Sequence, residues 1–307
     1  MRVNRISAIL ALVPSILADI VEPSSPKRGL CYVEGEDPAD DKTWDGSESD
    51  LTWYYNYQAM PTDAIDSKLQ FVPMLWGADS SNDNADATSF YDTVKGLIDS
   101  GREIQYVLGF NEPDGCTDGG SCVDPSVAAS EWIDKIEPLK NLDLQLGAPA
   151  VTGSPRGLQW LQEFYTACDG GCTTDFLPIH WYGNFEGMAS FMGQVNATYQ
   201  NMTMWMTEFG FPGQDLETSQ TFFNQSISYL DRQDYVTHYS WFGAFRSDVS
   251  NVGPNSALLT EKGELTDMGA YYLGEPAEGN IPSSATDRAI FAGWSIFVSA
   301  ALFWSFA

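Results

Sequence analysis

Residues 176–182 read Phe-Leu-Pro-Ile-His-Trp-Tyr, a nearly continuous apolar and aromatic run between Asp175 and Gly183. A strand that shows one face to water alternates apolar and polar residues; a run without alternation is buried on both faces, as in a parallel sheet. Reading outward from it, the amphipathic stretch Glu186–Tyr199 leads to a second such run, Met202–Phe209. Thr218–Leu230 then leads to a third, Val236–Phe242. Toward the N-terminus the same alternation gives Arg28–Val33, Leu51–Asn56, Leu69–Trp76, Tyr106–Glu112 and Gln145–Val151, eight runs in all. The intervening segments Ser89–Ile98, Val127–Leu139 (with Ser126 as candidate N-cap) and Gly157–Ala167 have helical spacing, and Thr266–Leu273 closes the series. The first connection, Glu34–Asp50, is the poorest match and reads as an acidic loop rich in Asp and Gly rather than a helix. This pattern predicts an α/β fold, a single (β/α)8 TIM barrel. A doubly wound sheet would carry a Gly-rich phosphate loop after the first strand, and none follows Val33.

The two ends lie outside that pattern. A basic start, an apolar run from Ile6 to Leu17 and a small residue at Ala18 match a secretory signal peptide over 1–18. The run is shorter than the roughly 20 residues a membrane-spanning helix needs. At the other end Ala289–Ala307 carries no charge, and small residues Gly279 and Asn280 stand upstream, followed by a polar spacer. Small site, spacer and apolar tail over 279–307 form the pattern of a glycosylphosphatidylinositol (GPI) anchor signal. The catalytic domain is therefore expected at 19–278. Secretion also accords with the acceptor triplets at Asn196, Asn201 and Asn224. Of five cysteines, Cys116–Cys122 and Cys168–Cys172 can close short loops, leaving Cys31 as a buried thiol.

Composition narrows the partners. Fifteen Lys and Arg against 42 Asp and Glu leave a formal charge of −27. Nucleic-acid binding requires cations to replace phosphate counterions, so it is excluded, as is adhesion to anionic lipid. Ten Trp and 14 Tyr instead suit a neutral ligand with flat apolar faces, carbohydrate first. Two His and no CxxC give no zinc site, and no phosphate loop, dinucleotide fingerprint or HExxH appears, so neither metal nor cofactor is expected. Asp79–Asp86 lacks the Gly and closing Glu of a calcium hand and reads as a solvated turn. The chain is expected to be a monomer.

Barrel chemistry sits where strands end. The fourth run ends Asn111-Glu112-Pro113 and the seventh ends Thr207-Glu208-Phe209-Gly210. A carboxylate closing an apolar strand is costly unless it has partners or solvent. Two of them at strand mouths, among aromatics, are what glycoside hydrolysis needs: one acid to protonate the leaving oxygen, one carboxylate to attack or to activate water. Trp53, Tyr54, Trp76, Tyr182 and Trp241 are candidate sugar platforms, with core packing as the competing reading. Trp181 is a further such candidate, Asn56 a polar one at the end of the second run, and His180 a candidate partner of the nucleophile or substrate.

Arg28-Gly29-Leu30, Trp53-Tyr54-Tyr55-Asn56, FVPMLWG (71–77), LGFNEPD (108–114), LGAPAVTGS (146–154), Phe176–Gly183, TEFGF (207–211) and Trp241-Phe242 run in order over most of the expected domain. In this ordered set the chain resembles glycoside hydrolase family 128, the alkali-sensitive-linkage-type fungal glycosyl hydrolases. The resemblance implies a barrel, β-1,3-glucan as substrate and a retaining mechanism, with Glu112 as acid/base, Glu208 as nucleophile and Asn111 on a sugar hydroxyl. The resulting expectation is a cell-surface or wall endo-β-1,3-glucanase. The alternatives are a wall protein that binds β-glucan without turnover and a barrel glycosidase for another wall glycan.

Overall fold

The structure, a computed structural model, describes residues 25–282 apart from 36, 45–48, 66–67, 79–88 and 118. The signal-peptide segment, most of the anchor signal and the Asp79–Asp86 turn lie outside the described residues. Each of the eight runs contains a strand: β1 Arg28–Cys31, β2 Trp53–Tyr55, β3 Gln70–Phe71, β4 Tyr106–Leu108, β5 Gln145–Gly147, β6 Phe176–Tyr182, β7 Thr203–Gly210 and β8 Val236–Trp241. They form one parallel sheet in the order β3-β2-β1-β8-β7-β6-β5-β4. The two edges meet at a parallel bridge between Met74 and Leu108, where Leu75 N donates to Leu108 O and Leu108 N to Pro73 O. The sheet is thus curled round on itself, with helices outside it.

The helices are α1 Asp41–Trp44, α2 Phe90–Asp99, α3 Pro125–Glu131, α4 Pro155–Cys168, α5 Phe185–Thr198, α6 Leu216–Arg232 and α7 Asp267–Leu273. Most begin where a short polar side chain can take an orphan N–H: Ser89, Ser154, Asn184, Asp215 and Thr266 each accept from the third residue on. Before α3 the cap is Asp124, not Ser126: Asp124 Oδ1 accepts from Ser126 N at 2.9 Å, and Pro125 takes the first helical position, where no N–H is missed. The expected helix Val127–Leu139 is also broken. It widens into a π-turn over Trp132–Ile136 and tightens to 3₁₀ over Glu137–Leu142. Pro138 accounts for this, because it has no N–H to donate and its ring collides with the preceding turn of an α-helix.

Side chains inside the curled sheet stack in layers. The floor is aromatic: Trp53, Trp205, Phe176, Tyr106 and His238 meet ring to ring, with centroids 3.6–5.8 Å apart along the chain of contacts Trp53–Trp205, Trp205–His238, Trp205–Phe176 and Tyr106–Phe176. Gly29 makes room for this floor, since a Cβ there would lie 2.1 Å from the Trp53 ring. Burial holds His238 neutral, its pKa lowered to about 3.

Two positions read as sugar platforms belong to the outward-facing core instead. Tyr54 and Trp241 are both fully buried under the helices, Tyr54 against Phe71 and Trp241 against Phe209, Phe222 and Phe223. Trp53 is likewise buried, in the floor, its indole N–H donating to Lys27 O. None of the three has a free face for a sugar. The reason is the twofold period of a strand: residues next to one another point to opposite sides, so Trp53 and Tyr55 go in and Tyr54 goes out.

Both expected disulfides are present, Cys116–Cys122 and Cys168–Cys172, and Cys31 is a buried free thiol that donates to Trp241 O. Gly279 and Asn280 lie against the start of α7, where both backbone N–H groups donate to Asp267 Oδ1. No helix among the described residues is long and apolar enough to cross a membrane.

Candidate active site

Glu112 follows β4 and Glu208 lies near the end of β7. Simple alternation from the inward Trp205 would send Thr207 inward and Glu208 outward. The pairing of β7 with β6 shifts register at this point, from Met206 opposite Ile179 to Glu208 opposite His180. This irregularity turns the carboxylate into the mouth. The skipped Thr207 is tied down through its carbonyl, which accepts from Tyr55 OH at 3.0 Å and from Ser240 Oγ. Glu112 has a left-handed backbone, φ 41°, rare for a residue with a Cβ, and its N–H donates to Ala150 O at 2.7 Å.

The two glutamates meet at His180. Its Nδ1 is 2.9 Å from Glu112 Oε1 and 3.5 Å from Glu208 Oε2, and the three groups each bring one atom within 4.8 Å of the others. Two phenols complete the site: Tyr57 OH donates to Glu208 Oε1 at 2.8 Å and Tyr182 OH to Oε2 at 2.6 Å. Burial pushes the Glu208 carboxyl upward, His180 pulls it down, neighbouring Glu112 pushes it up again, and the two phenol donors lower it. For His180 burial opposes the charged form, yet the Glu208 and Glu112 carboxylates outweigh it and its pKa is raised. Tyr57 and Tyr182 are pushed well above the ordinary phenol range by burial and by Glu208, so both remain neutral donors.

The same three side chains could in principle grip a cation, each offering one ligand atom. A metal-bound imidazole normally has a partner for its second nitrogen, and His180 Nε2 is buried without one. The donor set suits proton transfer better than metal binding.

The remaining sequence candidates divide. Asn111 is adjacent and buried; its Nδ2 donates to Gly119 O at 3.1 Å and its Oδ1 is unpartnered. Trp76 is half-buried at the mouth, and its carbonyl accepts from Asn111 N. Asn56 instead closes a turn, its Nδ2 donating to Met60 O and its Oδ1 accepting from Gln58 N. Trp181 packs on Phe191 and donates to Asn184 O. Tyr57 and Phe242 are two further residues at the site. Phe242 is half-buried, edge-on to Tyr182 at 5.8 Å, in the place expected for Trp241. Tyr57 was legible in principle: Trp53, Tyr55 and Tyr57 are aromatic at every second position, on one face.

The family profile described as glycosyl hydrolase catalytic core matches residues 29–272. The chain belongs to glycoside hydrolase family 128. Among the relatives of this family 128 member is alkali-sensitive linkage protein 1 of Schizosaccharomyces pombe, 29% identical over 258 residues, which cover 81% of the chain and 44% of that protein. The chain thus spans less than half the length of this relative. Among solved structures, a family 128 curdlan-specific exo-β-1,3-glucanase from Blastomyces gilchristii superposes with a TM-score of 0.65 at 27% identity, covering 82% of this chain and 99% of that one. A family 128 endo-β-1,3-glucanase from Lentinula edodes gives a TM-score of 0.63 at 25% identity, covering 80% and 99%.

Proposed function

We propose that this protein is a retaining endo-β-1,3-glucanase that acts on fungal wall glucan, secreted and held at the cell surface by a GPI lipid. The observation that carries the hydrolytic reading is the approach of the Glu112 and Glu208 oxygens to within 4.8 Å across His180. Retaining glycosidases hold their carboxyl groups about 5–5.5 Å apart, too close for a water between them, so one must attack the sugar itself.

The hydrogen bonding supports a division of roles. Burial pushes the Glu208 carboxyl up; the hydrogen bonds that its two oxygens accept from Tyr182 and Tyr57 offset part of that push and fix its direction, and it is the nucleophile. Among the described residues Glu112 has His180 as its side-chain hydrogen-bond partner, and it is the more exposed of the two side chains, at 13% against 7%; it is the acid that protonates the leaving oxygen and then the base that activates water. Asn111 lies beside Glu112, where it can meet a sugar hydroxyl, and Trp76, Tyr182 and Phe242 offer faces to the ring. The relatives from Blastomyces gilchristii and Lentinula edodes, an exo- and an endo-β-1,3-glucanase, support the linkage, and the latter supports internal cleavage.

The test is product analysis on laminarin, curdlan, β-1,4-glucan and mannan. A ladder of β-1,3-oligosaccharides, released first as the β-anomer by NMR, is expected. Glucose alone would overturn endo action, α-anomer first would overturn retention, and binding to laminarin without any reducing-end release would favour the non-catalytic alternative.

A further inference from the structure

The backbone around Glu112 is held by a small strap. Ser121 N donates to Asn111 O at 2.9 Å, Gly115 N to Glu112 O at 2.9 Å, and Val123 N to Pro113 O at 3.0 Å. Cys122 N returns to Gly115 O at 3.0 Å, and Gly119 O accepts the Asn111 side chain at 3.1 Å. So the carbonyls of three consecutive residues, Asn111, Glu112 and Pro113, and the Asn111 amide are all engaged, by Ser121, Gly115, Val123 and Gly119 in turn. The Cys116–Cys122 disulfide closes this segment, with Cα atoms 4.4 Å apart. The packing beneath Glu112 admits no side chain: a Cβ on Gly120 would lie 2.3 Å from Gly115 O and 2.9 Å from Glu112 O. Farther out, Trp160 Nε1 donates to Val123 O at 2.8 Å, which fixes the strap's end to α4.

Glu112 and Cys122 have left-handed backbones, with φ 41° and 51°. Such conformations are costly for residues with a Cβ and persist only where the surroundings over-determine them. Here the surroundings are the strap. We infer that the strap closed by the Cys116–Cys122 disulfide, through Gly115, Gly119, Ser121 and Val123, is a positioning device for the general acid, holding Glu112 against its backbone preference where it protonates the leaving oxygen. This inference rests on the hydrolase reading above. Cys116 and Cys122 touch no substrate; they act through Glu112 and Asn111.

The experiment compares two double variants with the wild type. Cys116→Ser/Cys122→Ser opens the strap. Cys168→Ser/Cys172→Ser opens a loop of similar size that precedes β6, at the opposite end of the strands from the site. Two substrates are used: laminarin, whose leaving sugar needs a proton, and a 2,4-dinitrophenyl β-glycoside of laminaribiose, whose leaving phenolate does not. Displacement of the acid by about an ångström predicts a fall in kcat on laminarin of up to about 100-fold for the first variant. The pre-steady-state burst of dinitrophenolate should stay close to wild type, and the second variant should match wild type on both substrates. Equal loss on both substrates, or no loss on either, overturns the inference. Should the opened variant not fold, Gly120→Ala with the disulfide intact is read in the same way. A wild type that releases neither sugar nor phenolate overturns the hydrolase reading and the inference with it. A wild type that hydrolyses beside an unaffected strap variant overturns the inference alone.

Discussion

The Tyr57 hydroxyl lies 2.8 Å from Glu208 Oε1, on the carboxylate oxygen opposite the one that Tyr182 holds. Tyr57 reaches it from a left-handed backbone, φ 61°, just past β2, with its ring against Tyr55 at 4.8 Å. A neutral donor at this point stabilises the carboxylate without a second positive charge beside His180. Tyr57→Phe removes it. A hydrogen bond to a charged group contributes about 1.5–3 kcal/mol, so kcat/KM should fall roughly tenfold to a hundredfold. Because the Tyr57 bond lowers the Glu208 pKa, its loss raises that pKa. On the proposed mechanism Glu208 must be ionised to attack, so the acid limb of the kcat/KM profile should move to higher pH. An unmoved limb would argue against this role.

Glu112→Gln and Glu208→Gln should each reduce laminarin hydrolysis by at least about 10²- to 10⁴-fold while leaving glucan binding measurable by affinity electrophoresis. Full activity in Glu208→Gln would remove it as nucleophile.

The same substitution has a consequence for stability. The folded pKa of Glu208 is raised, chiefly by burial, so the native state binds its proton more readily than the unfolded chain does. Stability then falls as pH rises through the interval between the unfolded and folded values, and the ionised group is a net cost above it. At pH 7 Glu208→Gln should therefore melt at or above the wild-type temperature, and this margin should shrink on acidification. A lower melting temperature at pH 7 would contradict the account.

Trp53 distinguishes floor from platform. It is 1% exposed and packs on Trp205 at 5.0 Å. Trp53→Ala should cost about 3–5 kcal/mol in urea unfolding, with KM for laminarin unchanged where the protein remains folded. A raised KM at unchanged stability would instead mark a sugar contact.

Cys31 is buried with its pKa pushed up, first by burial and then by the charge of Glu208. A thiol in that state is unreactive. Native protein should take up no 5,5′-dithiobis(2-nitrobenzoate), and one equivalent per chain should react in guanidinium.

Strand placement was legible because buried parallel strands write themselves as unbroken apolar runs; β6 occupies Phe176–Tyr182, the run as read. Glu112 and Glu208 stood out because a carboxylate that closes an apolar strand carries a desolvation cost which an ordinary loop glutamate avoids. Facing was not legible by the same means. A run apolar on both sides carries no polar alternation, so Tyr54 and Trp241 read like Trp53 and Tyr182 although they point away from the mouth. The turning of Glu208 depends on a register shift between two strands, a property of their pairing that neither segment carries alone. The break in the expected helix Val127–Leu139 was signalled by Pro138, whose effect periodicity alone does not register.

The aromatic floor has a chemical corollary on the double-displacement reading. With Trp53, Trp205 and Phe176 buried and packed ring to ring at the base of the curled sheet, reagents reach Glu208 from the other side, by the mouth at which the strands end. The water that frees the second product must come in by the door through which the first has just gone out. Any sugar hydroxyl lingering there competes with it for the same anomeric carbon, so the balance between cutting and re-joining chains is set by traffic at one doorway.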